Sequence, residues 1–339
     1  MPLLSRQDLD FCLYEMLDTD SLLHTPRYGD HSRETFNQTL NTAEQVAEKY
    51  FAPHNHLADE KEPWFDGEQV HTIPEVKEAF RHYVNSGLLT ARLEFDAGGM
   101  QLPHVVAAAC SGYVTAANAS SAAYPFLTMA ASNLIHHFAS DELKNLYLPL
   151  MRSGRAAGTM ALTEPDTGSS LADIKTYATP TEQGHYLVKG NKMYISGGDQ
   201  DITDNILHLV LAKIKGAPAG VKGISLFLVP KYKVAENGAL QGKNGVSCGA
   251  LEHKMGIKAS ATCVMNFDGA KGFLVGEENR GLQAMFHMMN SARLGTALQG
   301  LSAGEASFQG ALEYARERLQ MRSLSGPKNP EGPADPLIV

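Results

Sequence analysis

The sequence contains few cysteines and no excess of positive charge. Four cysteines are spread over 339 residues: Cys12, Cys110, Cys248 and Cys263. Their spacing fits neither a CxxC motif nor a disulfide framework, so plain thiols in a reducing cytoplasm are expected. Lysine and arginine total 29 against 37 aspartates and glutamates, which gives a formal net charge of −8. An acidic chain has no general attraction for phosphate backbones or anionic lipids, so we expect neither nucleic acid nor membrane as a partner.

Several common signatures are also missing. No apolar run approaches the roughly 20 residues that span a bilayer. No P-loop, GxGxxG or GxSxG motif occurs, so the sequence offers no support for the classes that these motifs define. The histidine pairs His54/His56 and His136/His137 have neither the i, i+4 spacing nor the carboxylate partner of a catalytic zinc site. No metal site is therefore predicted.

The first half of the chain has helical periodicity and many small apolar residues. The apolar fraction of 43% and the length are sufficient for two or three globular domains. Apolar residues recur at helical spacing in five segments. Helices are predicted over residues 33–51, 72–89, 105–117, 130–138 and 141–151. A glycine-rich loop at 94–103 lies among them.

From about Gly158 the pattern changes to alternating apolar residues with frequent turn signals. Strands are predicted over residues 185–190, 192–196, 206–214, 223–229 and 261–268. This pattern is typical of a small antiparallel barrel or sandwich. Helix returns over residues 282–319, with one expected interruption near Asn290, and a proline-rich tail follows.

These elements predict an α+β fold in three parts. We expect an N-terminal helical domain at 1–157, a middle β domain at 158–278 and the start of a C-terminal helical bundle at 279–339. A single long helix with a proline-rich tail is not a domain by itself. We therefore expect the last part to be incomplete as given, with further sequence or another subunit packed against the helix.

Residues 160–170 read M-A-L-T-E-P-D-T-G-S-S. This segment resembles the A-x-T-E-P-x-x-G-S-D signature of the acyl-CoA dehydrogenase family, and departs from it at Ser170, where an aspartate is usual. A strand that runs into a glycine-containing turn leaves hydroxyl and N–H groups free for a flavin edge and a diphosphate. The alternative is a turn of purely structural use. The resemblance implies that FAD or acyl-CoA contacts come from Met160, Leu162, Thr163, Gly168 and Ser169.

A second segment, residues 190–198, reads G-N-K-M-Y-I-S-G-G. It is similar to the family motif G-x-K-x-[WY]-I-[ST]-N, with Gly197 in place of the asparagine. By resemblance, Tyr194 packs beside the isoalloxazine, Ile195 belongs to the same cofactor site, and the hydroxyl of Ser196 hydrogen-bonds near flavin N5. The alternative is an edge hairpin with an exposed aromatic residue. The separation of Thr163 and Ser196 matches the family and disfavours that alternative.

The remaining matches are weaker singly. Residues 252–262 and 273–281, and the loop at 98–103, resemble other family turns, for which ordinary turn chemistry is the alternative. The final helix resembles the family's paired-arginine helix. The resemblance implies that Arg293 faces the acyl-CoA, for which Ser169 is a second ligand. It also implies that Arg318 and Gln320 reach the FAD diphosphate of a neighbouring subunit in a homodimer or homotetramer. A solvated helix face is the alternative for Arg318.

The resemblance implies FAD-dependent α,β-dehydrogenation of an acyl-CoA thioester to a trans-2-enoyl-CoA, with hydride transfer to flavin N5 and electrons passed on to an electron-transferring flavoprotein. The reaction needs a carboxylate base. One family position for this base precedes the residue that Arg293 matches, and here it is Ala292, which cannot accept a proton. No catalytic residue is therefore assigned in this chain, and the base is expected beyond Val339.

Two other classes remain open. One is an oxidase or monooxygenase on the same flavoprotein scaffold, which differs in the access of oxygen to the reduced flavin. The other is a non-catalytic, DNA-associated flavoprotein, which the acidic balance and the lack of a basic stripe disfavour.

Overall fold

The structure is a computed structural model that describes residues 2–328, 330–332 and 334–337. Its α-helices are α1 (Arg6–Asp10), α2 (Arg33–Val46), α3 (Asn55–Glu60), α4 (Pro74–Asn85), α5 (His104–Ala117), α6 (Ala119–Phe138), α7 (Asp141–Arg152) and α8 (Gly281–Glu317). Its strands are β1 (Trp64–Phe65), β2 (Val70–His71), β3 (Ala156–Ala161), β4 (Tyr177–Pro180), β5 (Tyr186–Ser196), β6 (Asn205–Ile214), β7 (Ile224–Pro230), β8 (Tyr232–Val234), β9 (Leu240–Lys243), β10 (Val246–Leu251) and β11 (Thr262–Leu274).

The helical region follows the predicted pattern closely. Helix α2 starts with a capping box in which Ser32 and Thr35 satisfy each other's backbone N–H groups. A π-helical turn at Ala47–Phe51 continues it, so the predicted helix over 33–51 is confirmed. Helix α6 is longer than predicted and begins at Ala119, because Asn118 caps its first turn and Pro125 is accommodated inside it.

The middle region is a barrel, but it is not purely antiparallel. Strand β7 pairs with both β6 and β11, and the ring closes through β5 and β4 back to β6. The prediction of an antiparallel sheet is wrong for β3 and β4, which both pair with β6 in parallel. The helical connections before β3 and the 162–176 crossover after it allow these parallel pairings.

The two strands predicted over 185–190 and 192–196 form one strand. Strand β5 stays paired with β11 from Tyr186 opposite Gly272 to Ser196 opposite Thr262. Gly190, at φ +155, lies close against Thr176 and does not turn the chain. The separation of these two predicted strands is therefore wrong, since Gly190 and Asn191 pair in regular register with Phe267 and Asn266.

Helix α8 runs from Gly281 to Glu317 without the predicted interruption near Asn290. Its start lies so close to β7 that a Cβ on Gly281 would stand 2.3 Å from the carbonyl carbon of Ser225. The helix continues across α5 and α6, and joins the helical region to the barrel. The domain boundaries at 157/158 and 278/279 stay predictions. Within the described ranges, no helix combines the length and apolar character needed to cross a membrane.

Candidate functional site

The two main sequence motifs meet at the end of β3. The chain leaves β3 after Ala161, and the backbone N–H of Met193 in β5 donates to the carbonyl oxygen of Thr163 at 2.9 Å. Met160, Leu162 and Thr163 are all half-buried along this edge. Residues 30 positions apart in the sequence, Thr163 and Met193, are therefore joined at one surface.

A buried ion pair joins the same two motifs from inside. Lys192 is completely buried, and its Nζ donates to Glu164 Oε1 at 2.9 Å and to the carbonyl oxygen of Leu162 at 2.9 Å. Glu164 also accepts from the backbone N–H groups of Lys175 at 2.6 Å and Thr176 at 3.0 Å. Both oxygens of this carboxylate thus accept hydrogen bonds from donors outside its own turn.

Burial and pairing shift the pKa values of Lys192 and Glu164 in opposite directions. Burial lowers the pKa of Lys192 to about 8, and the attraction of Glu164 opposes that shift. Burial by itself would raise the pKa of Glu164, but Lys192 and the backbone donors outweigh it, so the pKa of this carboxyl lies below its usual value. The sequence motifs include both residues, yet their pairing was not predicted.

Tyr194 stands out of the barrel on a strained backbone. The ladder between β5 and β11 shifts register here, since Lys192 faces Met265 whereas Ile195 faces Cys263. The extra residue in β5 puts Tyr194 at φ +59, and its side chain is 60% exposed. Left-handed backbone at a bulky aromatic residue is costly, and such strain concentrates at functional sites.

The residues on either side of Tyr194 differ in what they offer. The side chain of Ile195 is buried in the barrel core, so only its backbone is available at the surface. Ser196 is half-buried at the end of β5. The chain then turns at Gly197, whose φ of +62 favours glycine and whose N–H donates to the carbonyl oxygen of Ala261 at 2.7 Å.

The loop after Thr163 presents unused hydroxyl groups. Glu164 and Thr167 close a tight turn through reciprocal backbone hydrogen bonds of 2.8 and 3.0 Å. Gly168 and Ser169 follow it and are exposed, and a Cβ on Gly168 would meet no atom within 4 Å. Across the described part of the chain, the hydroxyls of Thr163, Ser169 and Ser196 make no hydrogen bond. They are free to bind a ligand.

A cavity of about 300 Å³ lies between α5, α6 and α8. The alanines of α5 and α6 form its walls together with Gly295, whose Cα lies so close to α6 that a Cβ would stand 2.2 Å from Phe126. This cavity was not predicted from the sequence, although the small residues of α5 were its signal. Alanine-rich helices approach each other closely and leave space where no large side chain fills it.

The wall of the cavity is hydrogen-bonded to β3, the strand that leads into the first motif. Thr128, in its wall, accepts a hydrogen bond of 3.3 Å from the N–H of Gly158 in β3. Tyr124, one turn earlier in α6, donates its hydroxyl to the carbonyl oxygen of Ala259 at 2.8 Å and accepts from the N–H of Ala261 at 3.0 Å. The helix that bounds the cavity therefore also holds the loop facing Gly197.

The residues predicted on α8 do not all join this site. Arg293 is exposed, donates to Asn290 Oδ1 at 2.8 Å and lies 5.7 Å from the ring centre of Phe286. Arg318 caps the far end of α8 and donates to the carbonyl oxygen of Leu319. At 1.5 Å per residue, Arg318 lies roughly 37 Å along the helix from Arg293. Gln320, whose N–H donates to Asp335 at 2.8 Å, is equally remote.

The helical region and the barrel match two models of one protein family. The acyl-CoA dehydrogenase N-terminal domain matches residues 33–155, and the acyl-CoA dehydrogenase middle domain matches residues 159–270. The chain therefore belongs to the acyl-CoA dehydrogenase family.

Its similarity to individual members is moderate. It is 37% identical over 321 residues to 3-methylmercaptopropionyl-CoA dehydrogenase from Ruegeria pomeroyi, with 94% of this chain and 54% of that protein covered. It is 34% identical over 337 residues to a butyryl-CoA dehydrogenase from Syntrophomonas wolfei, with 96% and 55% covered. The chain thus spans about half the length of these relatives.

Among solved structures, the acyl-CoA dehydrogenase from Bacillus anthracis complexed with FAD superposes with a TM-score of 0.71 at 26% sequence identity. The match covers 89% of this chain and 47% of that one. The similarity extends over both the helical region and the barrel, so it includes the surface where the two motifs meet.

Proposed function

We propose that this protein is an FAD-dependent acyl-CoA dehydrogenase, which converts an acyl-CoA thioester to the trans-2-enoyl-CoA. The observation that carries this proposal is the surface at which the two motifs meet, beside an apolar cavity of about 300 Å³. Pockets of this kind, mostly apolar with a few convergent polar groups, are typical of small-molecule sites.

The donor set at this surface fits a flavin. A flavin presents an aromatic face and several polar ring atoms, and the two segments offer the exposed ring of Tyr194 and the free hydroxyls of Thr163 and Ser196. Met160 and Leu162 supply apolar contact along the same edge. Gly168 and Ser169 lie in open space, as a diphosphate site requires. The chemistry that FAD supplies when bound is acceptance of a hydride from the β-carbon of the thioester.

The protein's own residues orient and enclose the substrate. The cavity walls exclude water from a short acyl chain, and Ser169 and Arg293 are the proposed contacts for the coenzyme A part. No aspartate or glutamate lies in the cavity lining of the described residues, and Ala292 cannot accept the α-proton. We therefore propose that the base comes from sequence outside residues 1–339.

Partners and location extend the same proposal. Arg318 lies roughly 37 Å along α8 from Arg293 and Gln320 lies beyond it, which favours contact with a second subunit in a homodimer or homotetramer. An electron-transferring flavoprotein is the proposed electron acceptor. Four free cysteines suit a reducing cytoplasm.

The test is the visible absorption spectrum of the purified protein before and after addition of FAD. We expect a bound oxidised-flavin band, and we expect an acyl-CoA to bleach this band without oxygen only when the sequence that supplies the base is present. Ser196→Ala should weaken FAD binding, whereas Ser247→Ala, an exposed serine on β10, should not. Rapid oxygen consumption during turnover would instead identify an oxidase. Absence of flavin uptake by the whole protein would refute the proposal.

A further inference from the structure

Two arginines line the apolar cavity without an acidic partner among the described residues. Arg92 and Arg152 both line the cavity. Among the described residues, neither forms a hydrogen bond or an ion pair, and no aspartate or glutamate lines the cavity with them. The other arginines near the start of the barrel differ, since Arg155 pairs with Asp204 at 3.2 Å.

The chain path brings the two arginines to the same side. Arg152 ends α7, and the chain just beyond it packs against α4, where a Cβ on Gly154 would stand 2.8 Å from Val84. Helix α4 ends at Asn85 and leads directly into the turn that carries Arg92. Both residues therefore line the cavity on the side of α4.

The two arginines differ in their solvation, since Arg92 is exposed and Arg152 is half-buried. The Nε of Arg152 is buried without a hydrogen-bond partner, and burial lowers the pKa of this guanidinium below its usual value. Partial desolvation, together with the charge of Arg92, lowers the pKa of His104, which also lines the cavity. A buried N–H donor without a partner is unfavourable, and an incoming anion that accepts hydrogen bonds from the Arg152 guanidinium offsets that penalty.

We propose that Arg152, with Arg92, binds the distal carboxylate of a dicarboxylic acyl thioester. This inference rests on the proposed acyl-CoA function and specifies its substrate class. The volume of about 300 Å³ admits a short acyl chain with a terminal carboxylate. The planar guanidinium is suited to a carboxylate because it donates two parallel hydrogen bonds.

The experiment measures binding of glutaryl-CoA and valeryl-CoA to the FAD-loaded protein by calorimetry. These two thioesters have the same chain length and differ only at the distal carbon. We expect glutaryl-CoA to bind about tenfold more tightly or better. Arg152→Gln should abolish that preference and Arg92→Gln should reduce it, while the Kd of valeryl-CoA changes less than about twofold. Arg155→Gln is the matched control, and the flavin spectrum checks that each variant is folded.

The outcomes separate the two proposals. Equal binding of both thioesters to the wild-type protein would overturn the carboxylate site but leave the dehydrogenase proposal standing. A preference that survives both substitutions would overturn the assignment to these arginines. If Arg152→Gln weakens the binding of free coenzyme A as much as the binding of glutaryl-CoA, the guanidinium contacts a phosphate instead, and the inference is refuted. If neither thioester binds, both proposals fail.

Discussion

Lys192 Nζ lies 2.9 Å from Glu164 Oε1, and the lysine is completely buried. This contact joins the turn after β3 to the bulged strand β5, and so links the two segments proposed to contact the flavin. The same Nζ holds the carbonyl oxygen of Leu162, one residue before Thr163. The position of the motif surface thus depends on a pair whose members are 28 residues apart in the sequence.

Lys192→Met should destabilise the protein strongly, because it leaves Glu164 buried without its cation. Breaking a buried ion pair costs about 3–5 kcal/mol. The measurement is urea unfolding followed by circular dichroism. Lys189→Met is the control, since Lys189 forms an exposed pair with Asp268 at 3.2 Å and its loss should change stability by less than about 1 kcal/mol. Equal effects of the two substitutions would contradict this account.

Tyr194→Gly should raise stability and weaken FAD binding together. Glycine adopts the φ of +59 found at Tyr194 without a steric penalty, so relief of strain should add about 1 kcal/mol. Removal of the exposed ring takes away the proposed flavin contact. Thermal unfolding and FAD titration measure the two effects. Tyr194→Phe should keep the strain and most of the binding. A less stable glycine variant would show that Tyr194 supports the fold rather than a ligand.

Gly295→Ala should narrow the cavity. The new methyl group would overlap the ring of Phe126, 2.2 Å away, and push it into the space between α5 and α6. We expect a loss of about 1–3 kcal/mol in stability and a preference for shorter acyl chains. Gly300→Ala, in the same helix but with no atom within 4 Å of its Cβ, should instead stabilise the protein by up to about 1 kcal/mol. An unchanged chain-length profile in Gly295→Ala would refute the assignment of this cavity to the acyl chain.

The single tryptophan should report the titration of His71. Trp64 stacks on His71 with ring centres 4.4 Å apart, and His71 Nε2 lies 2.8 Å from Asp66 Oδ2. The hydrogen bond to Asp66, and to a smaller extent the charges of Asp66 and Asp201, raise the pKa of His71 above 6.5. A raised pKa in the folded state means that this contact stabilises the β1–β2 hairpin below pH 6.5, and that the stabilisation disappears as pH rises through the folded-state pKa.

The fluorescence emission of Trp64 should therefore increase as the pH rises, with a midpoint above pH 6.5. The reason is that a protonated imidazole quenches a stacked indole, and deprotonation of His71 removes this quenching. His71→Gln should abolish the transition. His253→Gln, which removes an exposed histidine paired with Glu62, should leave it in place. A transition that persists without His71 would contradict the assignment.

Periodicity predicted most of the helices because it is a local property. The predicted segments over 105–117 and 141–151 lie within one residue of α5 and α7 at each end. The length of helix α6 was underestimated, because Pro125 and the serines of its first turn are typical of a helix end. In the structure, packing against β3 and α8 stabilises the whole helix.

Strand assignment was less complete where pairing is long-range. The alternation over 206–214 predicted β6 to within one residue. The parallel neighbours β3 and β4 were not predicted as such, because no local pattern shows which strand edge the chain will join.

The sequence by itself determined the family motifs, the order of helical and β segments and the absence of a carboxylate at Ala292, since these depend only on residue identity and short spacing. The tertiary structure decided the rest. The closed ring through β6 and β7, the left-handed backbone at Tyr194, the buried pair of Lys192 with Glu164 and the cavity beside Arg152 all arise from contacts between distant segments. Their energies depend on burial and close packing, which exist only once the chain has folded.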